Sequence, residues 1–145
     1  MTRPQAPVMS VDELQLFLAL RFPQINQQGD GALVVEDVGL MSCRMRMKVG
    51  ERHLRPGGTV SGPTMFTLAD VALYVAILGQ IGPVELAVTT SFNINFLRRP
   101  ARGDLIAHCH LLKLGRKLAV GDVTLLSEGG EGAVAHATGT YALPD

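Results

Sequence analysis

Ser61-Gly62-Pro63-Thr64-Met65-Phe66-Thr67-Leu68-Ala69-Asp70-Val71-Ala72-Leu73-Tyr74-Val75-Ala76-Ile77-Leu78-Gly79 is the stretch on which the fold turns. Proline at the first helical position and glycine past the last are the usual punctuation of a helix. The spacing therefore predicts a helix over 63–78 that stops at Gly79. This helix is apolar nearly all round, so most of its surface must be buried. The apolar run from Met65 to Leu78 is short for a bilayer and contains Asp70, so no membrane partner is expected.

Outward from this helix, most of the chain reads as strands. Cys43-Arg44-Met45-Arg46-Met47-Lys48-Val49 alternates strictly, apolar on one face and basic on the other. It belongs to the second of two predicted strands, 31–38 and 41–49, with Gly39 as the turn. Four more are predicted at 87–97, 104–114, 118–126 and 133–143. In the first of these, Phe92, Ile94 and Phe96 share one face, and Asn93 and Asn95 the other. Alternation pairs Thr89 with Ser91 and sets Thr90 opposite. Ser10-Val11-Asp12-Glu13 resembles a capping box, so a short amphipathic helix is read over 11–21, ended by Pro23. Residues 1–9 read as a loose tail. Strand runs on both sides of one apolar helix imply an α+β fold, an antiparallel sheet curled around that helix.

The chain has 145 residues, read as a single domain. Its 13 basic and 13 acidic residues balance, so it lacks the broad positive field of a nucleic-acid binder. The start of the chain has no apolar run of signal-peptide type, and a cytoplasmic protein is expected. The two cysteines, Cys43 and Cys109, fit no metal spacing. In a strand, His108 and His110 point away from Cys109. No metal site is expected.

Four features carry chemistry. Asp70 sits mid-helix among Leu68, Ala69, Val71 and Ala72, and a carboxylate there needs a partner or a task. The blander alternative pairs it with an arginine of a neighbouring subunit. Ahead of it, Gly57, Gly58 and Gly62 allow close backbone approach to a ligand. The helix start adds free amides and partial positive charge. Pro63 has no N–H, which leaves Gly62 and Thr64 as donors. A hydroxyl of Thr89-Thr90-Ser91 could hold a water near Asp70, or simply reflect the taste of threonine for strands. Arg98-Arg99 and Arg116-Lys117 close strands, where they either hold phosphates or form a solvated rim.

Ser61-Gly62-Pro63-Thr64-Met65-Phe66-Thr67-Leu68-Ala69-Asp70 resembles the helix entry of hotdog-fold acyl-CoA thioesterases of the phenylacetic-acid-degradation type, relatives of 4-hydroxybenzoyl-CoA thioesterase. In that family a His-Gly-Gly opens the central helix, and an acidic residue follows nine positions after the His. Here Ser61 stands in the His place and Asp70 lies nine residues on. Val88-Thr89-Thr90-Ser91-Phe92-Asn93-Ile94-Asn95-Phe96-Leu97-Arg98-Arg99-Pro100-Ala101-Arg102-Gly103-Asp104, the Gly115-Arg116-Lys117 turn and the final strand also match. The resemblance spans about residues 30–143.

The resemblance implies a hotdog fold assembled as a homodimer or dimer of dimers, with active sites between subunits. It implies hydrolysis of a small or medium acyl- or aryl-CoA, and no cofactor beyond the coenzyme A of the substrate. Asp70 would be base or nucleophile, Gly62 N–H would polarise the thioester carbonyl, and Ser61 and Thr89 would support them. Arg55, Thr64, Thr90, Arg98, Arg99, Arg116 and Lys117 would contact substrate, the basic ones near the coenzyme A phosphates. Met65, Phe66, Leu73 and Tyr74 are the candidate apolar lining. Arg55 stands where the family often has Asn, and Pro63 replaces its second Gly. Two rival readings are an acyl-CoA-binding hotdog without turnover and a hotdog dehydratase or hydratase.

Overall fold

A computed structural model describes residues 6–26 and 32–145. Helix α1 spans Val11–Arg21. Strands β1 (Leu33–Gly39) and β2 (Ser42–Met47) follow, then helix α2 (Gly62–Ile81). Strands β3 (Val88–Phe96), β4 (Leu105–Leu114), β5 (Leu118–Ser127) and β6 (Ala133–Ala142) complete the chain. Among the described residues the strands form one sheet in the order β1-β2-β4-β5-β6-β3, antiparallel throughout. The sheet wraps α2, which is the hotdog fold. The first residue of the predicted strand 31–38 and residues 1–5 of the predicted tail lie outside the described residues.

The capping box at α1 is present: the Ser10 hydroxyl accepts from Glu13 N–H and the Glu13 carboxylate from Ser10 N–H. Leu14, Phe17 and Leu18 then face the core. The end of the predicted tail is tied down, since Val8 N–H donates to the Gly79 carbonyl at 2.7 Å and Met9 is buried. In β2 the alternation is realised, with Cys43, Met45 and Met47 buried. On its other face Arg46 meets Glu36 (2.7 Å), Asp104 (3.1 Å) and Glu128 (2.8 Å). The β1–β2 turn is carried by Leu40 and Met41, with Met41 at φ 55°, while Gly39 ends β1 rather than making the turn.

The predicted end of α2 at Gly79 is corrected. The helix continues to Ile81 and stops at Gly82, whose φ of 104° suits glycine. Gly79 serves another purpose: a Cβ there would lie 2.7 Å from Val38 Cγ2, so only glycine lets β1 pass this close. The extra turn also brings in Gln80, whose side-chain oxygen accepts from Met41 N–H at 2.9 Å and holds the β1–β2 turn. At 20 residues α2 is long and apolar enough to cross a bilayer by composition, so the length argument fails. What distinguishes it is burial, since most of its surface lies against the sheet and α1.

Leu73, midway along α2, is completely buried. It sits over Gly121 and Gly139, which face each other across β5 and β6. A Cβ at Gly121 would lie 2.6 Å from Leu73 Cδ1 and 2.9 Å from the His110 carbonyl oxygen; one at Gly139 would lie 2.8 Å from Leu73 Cδ2. The paired glycines form a socket that lets the sheet close on the helix.

The face assignment in β3 is also corrected. Tyr141, Gly139, Ala137 and Ala135 of β6 face inward, opposite Thr89, Phe92, Ile94 and Phe96. Thr89 and Phe92 are three residues apart, and the register shifts between Thr89 and Ser91. The irregularity centres on Thr90, a β-bulge. It moves Thr89 onto the inner face and leaves Ser91 on the outer one.

Gly121→Ala is expected to cost about 1–3 kcal/mol by overpacking. Combined with Leu73→Ala the two changes should be non-additive by more than about 0.5 kcal/mol. Urea denaturation of the four-member cycle measures this, and simple additivity would remove the socket as the cause.

Candidate functional site

The helix mouth is built from the loop before it. His53 is buried; its ring Nδ1 accepts from Gly50 N–H at 2.7 Å, and its carbonyl accepts from Ser61 N–H at 2.9 Å. Ser61 is the N-cap of α2: its hydroxyl oxygen accepts from Thr64 N–H at 3.3 Å and donates to Thr64 Oγ1 at 2.8 Å. The Thr64 hydroxyl in turn donates to the His53 carbonyl at 3.4 Å. Of the two amides proposed as donors, Thr64 is consumed by the cap. Gly62 N–H meets no acceptor among the described residues. Gly62 also precedes Pro63 within a helix, where a Cβ would clash with the proline ring.

Gly62 borders a cleft of about 430 Å³ shared with Arg55, Met65, Phe96, Arg98 and Arg99. Arg98 donates to the Glu131 carbonyl at 2.7 Å. Arg116 and Lys117 lie at the β4–β5 turn, at the opposite end of the sheet, separated by the ~30 Å length of a ten-residue strand. Within one chain the predicted cations therefore form two groups. Thr90, in the bulge, donates to the Thr140 carbonyl at 3.3 Å.

Asp70 is half-buried, two turns into α2. Thr89 Oγ1 donates to its Oδ1 at 2.8 Å. The Tyr141 hydroxyl donates to the same oxygen at 2.9 Å, with the Asp70 carbonyl oxygen 3.1 Å away. Burial first, then the charge of Asp70, holds the Tyr141 phenol protonated far above the usual tyrosine range. The second carboxylate oxygen, Oδ2, accepts nothing from the described residues. The partners of Asp70 are thus two hydroxyls, with no arginine among the described residues.

Tyr141 was not among the residues picked out in the sequence. Its signal was there: it follows Ala135, Ala137 and Gly139 on the inward face of the last strand, and a buried tyrosine hydroxyl must find a partner. The part of His53 in holding the helix mouth has no local signature. Leu73, proposed as lining, is the residue in the glycine socket. Phe66 packs on Phe92 at 4.8 Å between ring centroids.

Asp70 borders a second cleft, of about 290 Å³, walled by Phe22, Tyr74 and Tyr141. Eight residues of helix separate it from Gly62, a distance of about 12 Å. Cys43 and Cys109 are free and face each other across β2 and β4, buried beneath α2. A hydrogen bond with Cys43, together with burial, pushes the Cys109 thiol up. No group of three or more His, Cys, Asp or Glu among the described residues is arranged to hold a metal ion.

Comparison with known proteins gives concordant matches. A family model described as the thioesterase superfamily matches residues 57–134, which include the helix mouth, Asp70 and Thr89. A protein of Pseudomonas aeruginosa, provisionally named an esterase, is 35% identical over 99 residues, 68% of this chain and 72% of that one. A crystal structure from Silicibacter sp. TM1040, of a protein provisionally named a thioesterase, superposes with a TM-score of 0.86 at 48% identity, covering 96% of this chain and 94% of the other. The phenylacetic acid degradation protein PaaI of Thermus thermophilus superposes with a TM-score of 0.70 at 26% identity, covering 84% and 99%. With its family match over more than half of its length and a sheet-wrapped helix that ends in a bare amide, the chain belongs to the thioesterase superfamily.

Proposed function

We propose that the protein is an acyl-CoA thioesterase, splitting a small or medium acyl- or aryl-CoA into a carboxylate and free coenzyme A. The observation that carries this reading is the state of Asp70. One oxygen is held by Thr89 and Tyr141, and the other is open to a cleft. A carboxyl group held in place with one oxygen free suits a base or nucleophile. Asp70 either takes a proton from the attacking water or attacks the carbonyl to give an anhydride that water then opens. In both routes the C–S bond breaks and the sulfur leaves as thiolate. Gly62 N–H, at the positive end of α2, stabilises the oxyanion. The hydroxyl of Ser61 serves by capping the helix and so fixing the direction of that amide.

Both groups must lie near 3 Å from the reacting atoms, and about 12 Å of helix within one chain forbids it. The site is therefore completed by a second copy. Strand β3 has an unpaired edge and exposes Val88 and Phe96. Antiparallel pairing of two β3 strands brings the Phe96 end of one beside the Val88 end of the other. The Gly62 mouth of one copy then faces Asp70 of its partner. The same pairing brings Arg55, Arg98 and Arg99 of one copy toward Arg116 and Lys117 of the other, a cluster suited to coenzyme A phosphates. We read the assembly as a homodimer or a pair of such dimers. The reaction needs no cofactor beyond the coenzyme A of the substrate. Two cysteines in 145 residues fall far short of a disulfide scaffold, and we assign the protein to the cytoplasm.

A second reading is supported by Ser61, whose hydroxyl is occupied by the cap where the family has an imidazole: the protein binds acyl-CoA without turnover. Binding of a thioester panel without release of free thiol would favour it.

Asp70→Asn is expected to lower the rate of thiol release about 100- to 10,000-fold with the fold retained by circular dichroism. Undiminished turnover in this variant would remove Asp70 from the chemistry. Tyr141→Phe loses one hydrogen bond to the carboxylate, so kcat should fall about tenfold while KM stays within about twofold. A change confined to KM would assign Tyr141 to substrate binding instead. Sedimentation velocity should find a dimer or tetramer, and a fully active monomer would exclude the shared site.

A further inference from the structure

The cleft beside Asp70 is also lined by Arg21 and Glu85. Its walls are aromatic: Tyr74 stacks on Tyr141 with centroids 6.1 Å apart, and Phe22 meets Tyr74 edge-on at 5.9 Å. The Tyr74 hydroxyl donates to the Glu85 carbonyl at 3.2 Å, which ties the loop after α2 to the wall. Across the end, Arg21 from the last turn of α1 pairs with Glu85 at 3.3 Å. Two segments distant in sequence thus meet over the cleft. At about 290 Å³ it lies at the lower edge of the ~300–1,000 Å³ usual for small-ligand pockets.

Within one chain the charges that line it are one positive and two negative: Arg21 against Glu85 and Asp70. Glu85 pairs with Arg21 Nε, so a carboxylate arriving at this end competes with Glu85 for the guanidinium and meets net negative charge. An uncharged chain or ring meets aromatic surface.

We infer that this cleft receives the acyl group and that the Arg21–Glu85 pair limits it to a short, uncharged chain or a single ring. The inference rests on the thioesterase reading and adds the residues that set acyl specificity. Arg21 and Glu85 side chains are 64% and 52% exposed, so replacing them leaves the core untouched.

The test is kcat/KM for thiol release from hexanoyl-, benzoyl-, dodecanoyl- and adipoyl-CoA. The wild type should favour hexanoyl and benzoyl over dodecanoyl by at least about tenfold, and hexanoyl over adipoyl by a similar factor. Replacing both residues, Arg21→Ala with Glu85→Ala, should raise dodecanoyl relative to hexanoyl about tenfold. Glu85→Gln frees Arg21 and should raise adipoyl relative to hexanoyl about tenfold. Equal use of hexanoyl and dodecanoyl by the wild type, or unchanged ratios in both variants, overturns the inference while leaving hydrolysis intact. If no thioester releases thiol, hydrolysis itself fails. Calorimetric titration of the same thioesters then decides the cleft, because equal affinity for hexanoyl- and dodecanoyl-CoA overturns it and a preference lost in the double variant upholds it.

Discussion

The close seating of Leu73 in the Gly121–Gly139 socket is the constraint on which the other features rest. Two glycines facing each other across neighbouring strands leave a dent the width of one leucine. A helix that drops into it cannot slide or roll without lifting Leu73 onto backbone. Asp70 is one turn before Leu73 on the same helix, so the socket fixes its azimuth as well. The carboxylate is thereby aimed at the seam where β6 and β3 pair, where Thr89 and Tyr141 supply two hydroxyls. Packing in the core and the direction of a polar group near the surface are the same fact seen at two points along α2.

A carboxylate beside apolar surface is costly unless it is hydrogen-bonded. Here the compensation is lopsided. Both donors converge on Oδ1, which satisfies the charge while leaving Oδ2 with unused lone pairs. A pair with arginine would have been more stabilising and less available, since a bidentate contact occupies both oxygens. The mouth of α2 shows the same economy. Ser61 takes the Thr64 amide, Pro63 has none to offer, and the remaining donor is Gly62. Among the described residues, each end of the site keeps one atom without a hydrogen-bond partner, Asp70 Oδ2 at one and Gly62 N at the other.

Much of this was legible in the chain. The apolar helix and the strict alternation in β2 declare the architecture, because burial on all sides and burial on one face leave different periods. Asp70 was legible as an anomaly against that background. What local reading missed depends on contacts between distant segments. Gly79 looks like a helix end, yet its size is dictated by Val38 on a strand 41 positions earlier. Thr64 looked like a free donor until the Ser61 side chain claimed its amide. Tyr141 lies 71 residues from Asp70, and nothing near either announces the other. The separation of Arg98 from Arg116 follows from strand order, which composition and spacing do not specify. Thr89 was paired with Ser91 because alternation assumes an unbroken ladder.

That broken ladder has a consequence for how such a strand tolerates change. Side chains along a strand obey a parity rule, and one surplus residue inverts it for everything on one side. Thr90 is that surplus residue: upstream of it odd positions look inward, downstream of it even ones do. Deleting this single threonine would leave Thr89 opposite Tyr141 and Ser91 opposite Thr140 in an unbroken ladder, with the Thr89 hydroxyl still inward. Ironing out the bulge with Thr90 retained would instead turn that hydroxyl to the far surface of the sheet. The face of Thr89 is therefore set by where the ladder breaks as much as by residue type.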